Sequence, residues 1–277
     1  MRILLSFFVS ITIAGNINAQ NLKIITFNIG GDYKGDIIRW EKRMPLMTEF
    51  LREESPDILC LQEAHSNQSS DIIKSFPMLG IVGAQSEKEK LRAVYNPILY
   101  RKDRFIMLDS GYFALSEHPD SVGSIGWDAK YPRKATWINL KSEETGEIVF
   151  VINAHLDNVG KVAKVEGIKL ILDKIRLFSK SRNIILAGDF NSTVSSKVHD
   201  IVSEWGLYDT YQVSPQIKGV HYSFHQYGQK DIEKRHIIDF VFTDKEIEIL
   251  SVNIPKESSK SGVYISDHCP VIVNMKL

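Results

Sequence analysis

The chain has 277 residues, and its 34 Lys and Arg residues balance its 34 Asp and Glu residues, so the formal net charge at pH 7 is zero. This balance excludes the strong basic excess with which general nucleic-acid binders attract phosphates. Because the sequence has no Pro/Gly/Ser-rich linker, no compositional shift and no repeat, we expect residues 20–277 to form one domain.

Residues 1–19 are predicted to be a signal peptide. Arg2 precedes the apolar run ILLSFFVSITIAG, and the polar stretch that follows ends at the small residue Ala19. The run is shorter than the roughly 20 apolar residues that a permanent membrane span requires, and no later segment approaches that length. We therefore expect export to the periplasm or the cell exterior, cleavage before Gln20, and a mature monomer without a transmembrane span.

Short apolar runs with β-branched residues are the strand candidates, in chain order LKIITFNI, DILCLQ, NPILYR, FIMLDSGYFAL, ATWINL, IVFVINAHL, NIILAGDF, IIDFVFT, EIEILSVNI and PVIVNM. Helical patterns are predicted over residues 39–52 and, most clearly, over residues 161–179, where apolar residues recur at spacings of three and four. Cys60 and Cys269 each lie in a strand candidate, so we expect core thiols rather than a disulfide. Strands joined partly by helices and partly by turns predict an α/β sandwich of two packed sheets.

Two long segments interrupt this rhythm, residues 117–134 and residues 213–236. Long loops in compact domains are usually functional or disordered. The second segment is polar and aromatic, and its rings could stack on bases or line a sugar pocket. These rings belong to His221, Tyr222, Phe224, His225 and Tyr227.

Signatures of several other enzyme classes are missing from the sequence. The stretch GGDYKGD spaces Gly30 and Gly35 like a phosphate-binding loop, but Asp36 and Ile37 stand where such a loop needs Lys and Ser or Thr. The sequence contains neither G-x-S-x-G nor H-E-x-x-H, which disfavours a conventional serine esterase and a zinc protease.

Polar residues follow the predicted strands at or just past their ends. Any single one has an ordinary explanation, because Asp and Asn stop strands and open turns, and Glu63 could simply begin a helix. Together they gather carboxylates, amides and imidazoles at the strand ends, where sites form in α/β proteins. The set is Asn28, Glu63, His155 with Asp157, Asp189 with Asn191, Asp239, and Asp267 with His268.

These residues lie in the motifs TFNI, LQE, NAHLD, GDFN, IDFVF and SDH. In this order the motifs resemble those of the endonuclease/exonuclease/phosphatase superfamily, and the resemblance covers essentially the whole mature chain. It implies a four-layered α/β/β/α sandwich and a bacterial exported enzyme related to deadenylases, sphingomyelinases and deoxyribonucleases. The activity it implies is metal-dependent hydrolysis of a phosphoester substrate.

Oxygen-rich residues suit such a reaction, because Mg²⁺ prefers carboxylate and amide oxygens and retains several waters. Glu63 is therefore predicted as the first metal ligand, with Asn28 and Asp267 as nearby or water-mediated partners. The resemblance implies the same three residues. Mg²⁺ is the expected cofactor, and Mn²⁺ or Ca²⁺ are the alternatives.

Asp189 is predicted to be the general base that activates water, with Asn191 helping to orient it. A competing interpretation is that Asp189 only caps the turn that follows GDF. His268 is expected to donate to a non-bridging phosphoryl oxygen, held in place by Asp239.

The pair His155 and Asp157 alternates by two, so the two side chains would share a face of a continuing strand. His155 is then a second phosphate donor, and Asp157 supports the network.

Three further residues are candidates for substrate binding. Tyr112 resembles a tyrosine that reaches the phosphate in some relatives, although an aromatic residue in a strand is more often part of the core. Trp127 and Arg133 lie in the 117–134 segment, in a pattern that resembles GWD…PR…TW of a bacterial branch. Solvated charge is the alternative for Arg133.

Repair nucleases carry a further acid where this chain has Gly30, which disfavours a two-carboxylate arrangement there.

The sequence thus predicts a phosphodiesterase or phosphatase. The alternatives are a secreted nuclease acting on DNA or RNA, and an inactive binding protein on the same fold. Inactive relatives generally lack several catalytic positions, whereas all the expected ones are present here, which favours an enzyme.

Overall fold

The computed structural model describes residues 20–33, 38–83, 95–256 and 263–277. The predicted signal peptide lies outside these residues, as do Gly35 and Asp36 of GGDYKGD and the following Ile37. In the described part of the chain, no helix combines the length and the apolar character that a membrane crossing requires.

The first sheet has seven strands and is built around the first strand of the chain. Its order is β10 (Ile217–Gly219), β12 (Glu248–Ile254), β13 (Val271–Lys276), β1 (Asn21–Asn28), β2 (Ile58–Gln62), β4 (Ile98–Arg101) and β3 (Leu79–Val82). β1 runs parallel to β2 and antiparallel to β13. The carboxyl ends of β1 and β2 therefore reach the same edge of the sheet.

The second sheet has six strands. Its order is β5 (Phe105–Ala114), β6 (Lys134–Ser142), β7 (Ile148–His155), β8 (Asn183–Asp189), β11 (Asp239–Thr243) and β9 (Tyr208–Asp209). β7 and β8 are parallel, whereas β11 is antiparallel to β8. The start of β11 consequently lies beside the ends of β7 and β8.

Three apolar layers hold the sandwich together. Side chains from the inner faces of both sheets form the central layer, which includes Ile24 of β1 and Val151 of β7. On the outer face of the first sheet pack α1 (Trp40–Glu54) and α2 (Ser66–Ser75). On the outer face of the second pack α3 (Lys161–Phe178) and α4 (Lys197–Trp205), and the short α5 (Thr210–Val213) follows β9. The predicted four-layered α/β/β/α sandwich is confirmed.

A polar crosslink joins the two sheets just below the edge where their strands end. Gln62 Nε2 donates to Asn153 Oδ1 at 2.7 Å and to Thr26 Oγ1 at 3.0 Å, and Asn153 Nδ2 donates to the backbone oxygen of Leu61 at 2.7 Å. All three side chains are buried, and buried amides stabilise a fold only when their hydrogen bonds are made. The crosslink fixes one sheet against the other beside the strand ends.

The predicted strands and the two predicted helices are confirmed, while α2, α4 and the short strands β3, β9 and β10 were not predicted. Cys60 and Cys269 are buried core residues that form no disulfide, as expected. One detail differs: β7 ends at His155, so Asp157 lies beyond the strand and does not continue its face.

Candidate active site

The strand ends of the second sheet bring three predicted residues side by side. The register pairs His155 of β7 with Asp189 of β8, and Asp189 with Asp239 of β11. The three side chains are 1–2% exposed. Two carboxylates and an imidazole are thus buried together at one edge.

The first sheet reaches this cluster through Asn28, the last residue of β1. Asn28 Nδ2 donates to Asp189 Oδ2 at 3.0 Å, while Asn28 Oδ1 accepts the backbone N–H of Gly30 at 3.0 Å. The second bond fixes which end of the amide faces the carboxylate, because only the nitrogen can donate. Asn28 therefore joins the two sheets at the site.

His268 packs against the same carboxylates. Its Nδ1 lies 2.8 Å from Asp239 Oδ2, and its Nε2 lies 3.8 Å from Asp189 Oδ2. Burial alone would lower the pKa of His268, but the charge and hydrogen bond of Asp239, with Asp189 adding to them, raise it to about 10. The ring is therefore an imidazolium at neutral pH, with Nε2 aimed at Asp189.

Asp189 has an environment suited to proton transfer. Burial, and next the nearby charge of Asp239, raise the pKa of Asp189 to about 7. Its Oδ1 accepts the backbone N–H of Asn191 at 2.9 Å, as a residue that only opened a turn would do. Its Oδ2, however, faces Asn28 and the two histidines, so the side chain belongs to the site as well as to the turn.

Asn191 and His155 complete this side of the cluster. Asn191 has the left-handed φ of 46° that Asn tolerates better than most residues, and its Nδ2 donates to the oxygen of Leu156 at 3.0 Å. The same Nδ2 lies 3.1 Å from His155 Nε2, which is 3.4 Å from Asp189 Oδ2. Burial, then the charges of Arg133 and His268, hold the pKa of His155 well below 6.5, so its ring is neutral at pH 7.

Glu63 and Asp267 lie on the first-sheet side, around the segment that follows Asn28. Glu63 accepts the N–H of Gly31 at 3.3 Å and Asn28 Nδ2 at 3.5 Å, both long contacts. Asp267 Oδ1 lies 3.3 Å from Ser266 Oγ, and this hydroxyl donates to the backbone oxygen of Asn28 at 2.6 Å. Glu63 is only partly buried, so its carboxylate keeps acceptor capacity for a cation.

Two sets of residues could hold a divalent metal. Asp189, Asp239 and His268 place one ligand atom each within 4.8 Å of one another. Yet the His268 ring is cationic and already bonded to Asp239, and an imidazolium repels a cation and has no lone pair to give. The set predicted from the sequence, Glu63, Asn28 and Asp267, offers the carboxylate and amide oxygens that Mg²⁺ prefers and has no imidazolium among its ligands.

Arg43 is a buried positioning residue that sequence reasoning missed. It is 0% exposed, and its guanidinium donates to the backbone oxygens of Ile29, Gly30 at 3.1 Å, Gly31 at 2.7 Å and Ile265 at 3.1 Å. One side chain thus holds together the segments that carry Asn28 and Asp267. The signal was a charged residue within the apolar stripe Trp40, Arg43, Met47 and Leu51 of α1.

Arg133 and Asp157 form a second buried group beside His155. Arg133 is 7% exposed, and its Nε lies 3.4 Å from Asp157 Oδ2. Solvated charge is therefore the wrong interpretation of Arg133. Asp157 Oδ1 also accepts the N–H groups of Val159 and Gly160 at 2.9 and 2.7 Å. These bonds outweigh burial and lower the pKa of Asp157, so it stays ionised and pairs with Arg133.

The other two substrate-binding candidates lie further out. Tyr112 is 45% exposed, so it is not a core residue, and its ring lies 4.8 Å from Lys134 Nζ. Trp127 is partly buried in the 117–134 segment, where its backbone N–H donates to the carboxylate of Glu117 at 3.0 Å. Asp128 of the same segment accepts the first N–H groups of α3, which ties the segment to that helix.

The aromatic 213–236 segment packs under the site. Phe224 pairs with His268 through a β-bridge, and their rings lie 4.8 Å apart. Ser223 Oγ accepts the backbone N–H of Asp239 at 3.1 Å, and the backbone N–H of Cys269 donates to the backbone oxygen of Ser223 at 2.6 Å. This segment therefore supports the residues that flank Asp239 and His268.

Comparison with known proteins gives one family. The profile described as "Endonuclease/Exonuclease/phosphatase family" matches residues 25–268. An endonuclease/exonuclease/phosphatase from Bacteroides vulgatus is 33% identical with a TM-score of 0.88, over 93% of this chain and 99% of that chain. An endonuclease/exonuclease/phosphatase family protein from Bacteroides thetaiotaomicron is 26% identical with a TM-score of 0.85, over 94% and 98%. A mannosyl-6-phosphatase from Bacteroides thetaiotaomicron is 27% identical with a TM-score of 0.83, over 92% and 99%.

We predict that Arg43→Met lowers the free energy of unfolding by about 3 kcal/mol, because it leaves several buried carbonyl oxygens without their charged donor. Urea denaturation of both proteins measures the difference. Arg52→Met is the matched control, since Arg52 lies on the same helix but is exposed, and we expect a change below about 0.5 kcal/mol. Equal stability of the two variants would contradict the role given to Arg43.

Proposed function

Because this chain belongs to the endonuclease/exonuclease/phosphatase family, we propose that it is a divalent-metal-dependent phosphoesterase. Members of this family are hydrolases that act on phosphoesters. The observation that carries the proposal is the contact between the two halves of the site. Asn28 of the first sheet is bonded to Asp189 of the second, and Asp189 faces a cationic histidine.

Enzymes of this family depend on a divalent metal, and the residues proposed to hold it here are Glu63, Asn28 and Asp267. Bound there, a cation such as Mg²⁺ would neutralise negative charge on the phosphoryl group. Mn²⁺ and Ca²⁺ are the proposed substitutes. The support lies in the long hydrogen bonds of Glu63 and in the oxygen-only donor set.

Asp189 is the proposed general base. It accepts a proton from the attacking water, while Asn28 Nδ2 and the N–H of Asn191 hold its two oxygens in place. A pKa of about 7 makes Asp189 a much better proton acceptor than an exposed aspartate. The oriented carboxylate thus directs water towards the phosphorus atom.

His268 is the proposed donor to a non-bridging phosphoryl oxygen. Asp239 fixes the ring through Nδ1, which leaves the Nε2–H available to donate to the substrate. An imidazolium stabilises the negative charge that develops on the phosphoryl oxygens. His155 is neutral and supplies a second N–H, while Asp157 and Arg133 stand beside it as an ion pair.

Among phosphoesters, we propose a sugar phosphate monoester as the first substrate class to test. The similar mannosyl-6-phosphatase supports this choice, and so does the net charge of zero, which does not favour a general nucleic-acid binder. We also propose that the enzyme acts outside the cytoplasm, on the strength of the predicted signal peptide.

A panel of sugar phosphates, nucleotides, phosphodiesters and DNA, assayed with Mg²⁺, Mn²⁺, Ca²⁺ or EDTA, tests the proposal. We expect metal-dependent phosphate release, lost in EDTA, and a fall in kcat of at least about 10²-fold in Asp189→Asn and in His268→Ala. Asp173→Asn is the matched control, because Asp173 is an exposed residue of α3. Phosphate release that is equal in all variants would refute the assigned roles.

The pH dependence follows from the two shifted groups. Asp189 acts deprotonated, so kcat/KM should rise with pH through about 7, whereas His268 acts protonated, so activity should fall only near pH 10. In Asp239→Asn the carboxylate that raises the pKa of His268 is gone, and the alkaline limb should move to lower pH. Complete pH–rate profiles measure both limbs. An alkaline limb that stays in place in Asp239→Asn would exclude His268 as its source.

A further inference from the structure

Gly30 lies in a confined space beside the proposed metal site. Its φ is +58°, and a Cβ atom there would lie 3.3 Å from the hydroxyl of Tyr227, 3.4 Å from Asp267 Oδ1 and 3.6 Å from Arg43 Nη1. The space that a side chain at this position would occupy is therefore already bordered by a hydroxyl, a carboxylate and a guanidinium. The hydroxyl comes from the 213–236 segment.

The backbone that delivers Tyr227 is unusual. Gln226 and Tyr227 both have a left-handed φ, 53° and 52°, which non-glycine residues rarely adopt and which persists only where the surroundings enforce it. The N–H groups of His225 and Gln226 both donate to the backbone oxygen of Asp267, at 3.0 and 3.1 Å. The turn is thus fastened to Asp267, whose carboxylate borders Gly30 as the Tyr227 hydroxyl does.

The far side of the turn is fixed as well. The N–H of Gly228 donates to Nδ1 of the buried His225 at 3.0 Å, and Arg235 Nη2 donates to the oxygen of Gly228 at 3.1 Å. Residues 225–228 are therefore held from both ends. A side chain carried by such a turn has a defined position.

We propose that Tyr227 is a positioning residue of the metal site. Its side chain orients Asp267 and fills the space beside Gly30. A phenol at this place can donate to the Asp267 carboxylate or to a water on the cation, and groups that orient a metal ligand strengthen metal binding. A Cβ atom at position 30 would meet the same hydroxyl at 3.3 Å, so a side chain there requires the tyrosine to shift. The inference rests on the proposed function, because it takes Glu63, Asn28 and Asp267 as the metal residues.

Binding of Mn²⁺ to the substrate-free enzyme tests this role without any turnover. Titration followed by the electron paramagnetic resonance of free Mn²⁺ gives the Kd. We expect Tyr227→Phe to bind Mn²⁺ about 10-fold more weakly, with kcat at saturating Mn²⁺ close to that of the wild type. Tyr208→Phe is the control, since Tyr208 is an exposed tyrosine of β9 outside the 213–236 segment, and its Kd should not change.

Glu63→Gln separates the role of Tyr227 from the existence of the metal site. If it loses Mn²⁺ binding while Tyr227→Phe binds like the wild type, Tyr227 has no positioning role but the proposed metal site stands. If Glu63→Gln binds like the wild type, the proposed metal site is wrong and the role of Tyr227 falls with it. Equal weakening in Tyr227→Phe and Tyr208→Phe would show a non-specific effect of removing a phenol hydroxyl and would also overturn the inference.

A double-mutant cycle that combines Gly30→Ala with Tyr227→Phe tests whether the Tyr227 hydroxyl lies against position 30. Gly30→Ala should weaken Mn²⁺ binding, because its Cβ meets the Tyr227 hydroxyl at 3.3 Å and its φ is unfavourable for alanine. In the Tyr227→Phe background the loss should be smaller, since the hydroxyl is gone. If the two substitutions change the free energy of Mn²⁺ binding additively, the Tyr227 hydroxyl does not lie against position 30.

Discussion

The hydrogen bond from Asn28 Nδ2 to Asp189 Oδ2 is the constraint on which the site depends. It joins the last residue of β1 in one sheet to the last residue of β8 in the other, and both side chains are 1% exposed. Buried polar groups cost free energy unless they are paired, so the two sheets can meet here only in the register that makes this bond. Directly below it, Gln62 and Asn153 make the same kind of crosslink.

Burial explains the chemistry of the site as well as its geometry. Asp189, Asp239 and His268 share a small volume from which water is largely excluded, so their charges act strongly on one another. The outcome is a carboxylate that is easier to protonate and an imidazolium that is harder to deprotonate. Glu63 lies on the more open side, and its hydrogen bonds to Asn28 and Gly31 are long. We therefore propose separate places for the cation and for proton transfer.

The sequence predicted much of this arrangement, because strands buried on both faces give long apolar runs and the polar residues stand where these runs end. Arg43 escaped prediction for a physical reason. Arg43 donates to the oxygen of Ile265, 222 positions away, and no local pattern records such a contact. Strands of two or three residues, such as β9 and β10, are too short to show alternation. Arg133 has a charged side chain in a predicted loop, and only the fold shows that Asp157 pairs with it in the interior.

We propose that the metal binds on the Glu63 side and leaves Asp189, Asp239 and His268 for the chemistry. Anomalous X-ray diffraction from crystals soaked in Mn²⁺ locates the ion directly. We predict one anomalous peak at a coordination distance of about 2.1 Å from the Glu63 carboxylate. A peak coordinated by Asp189, Asp239 and His268 instead would contradict the account.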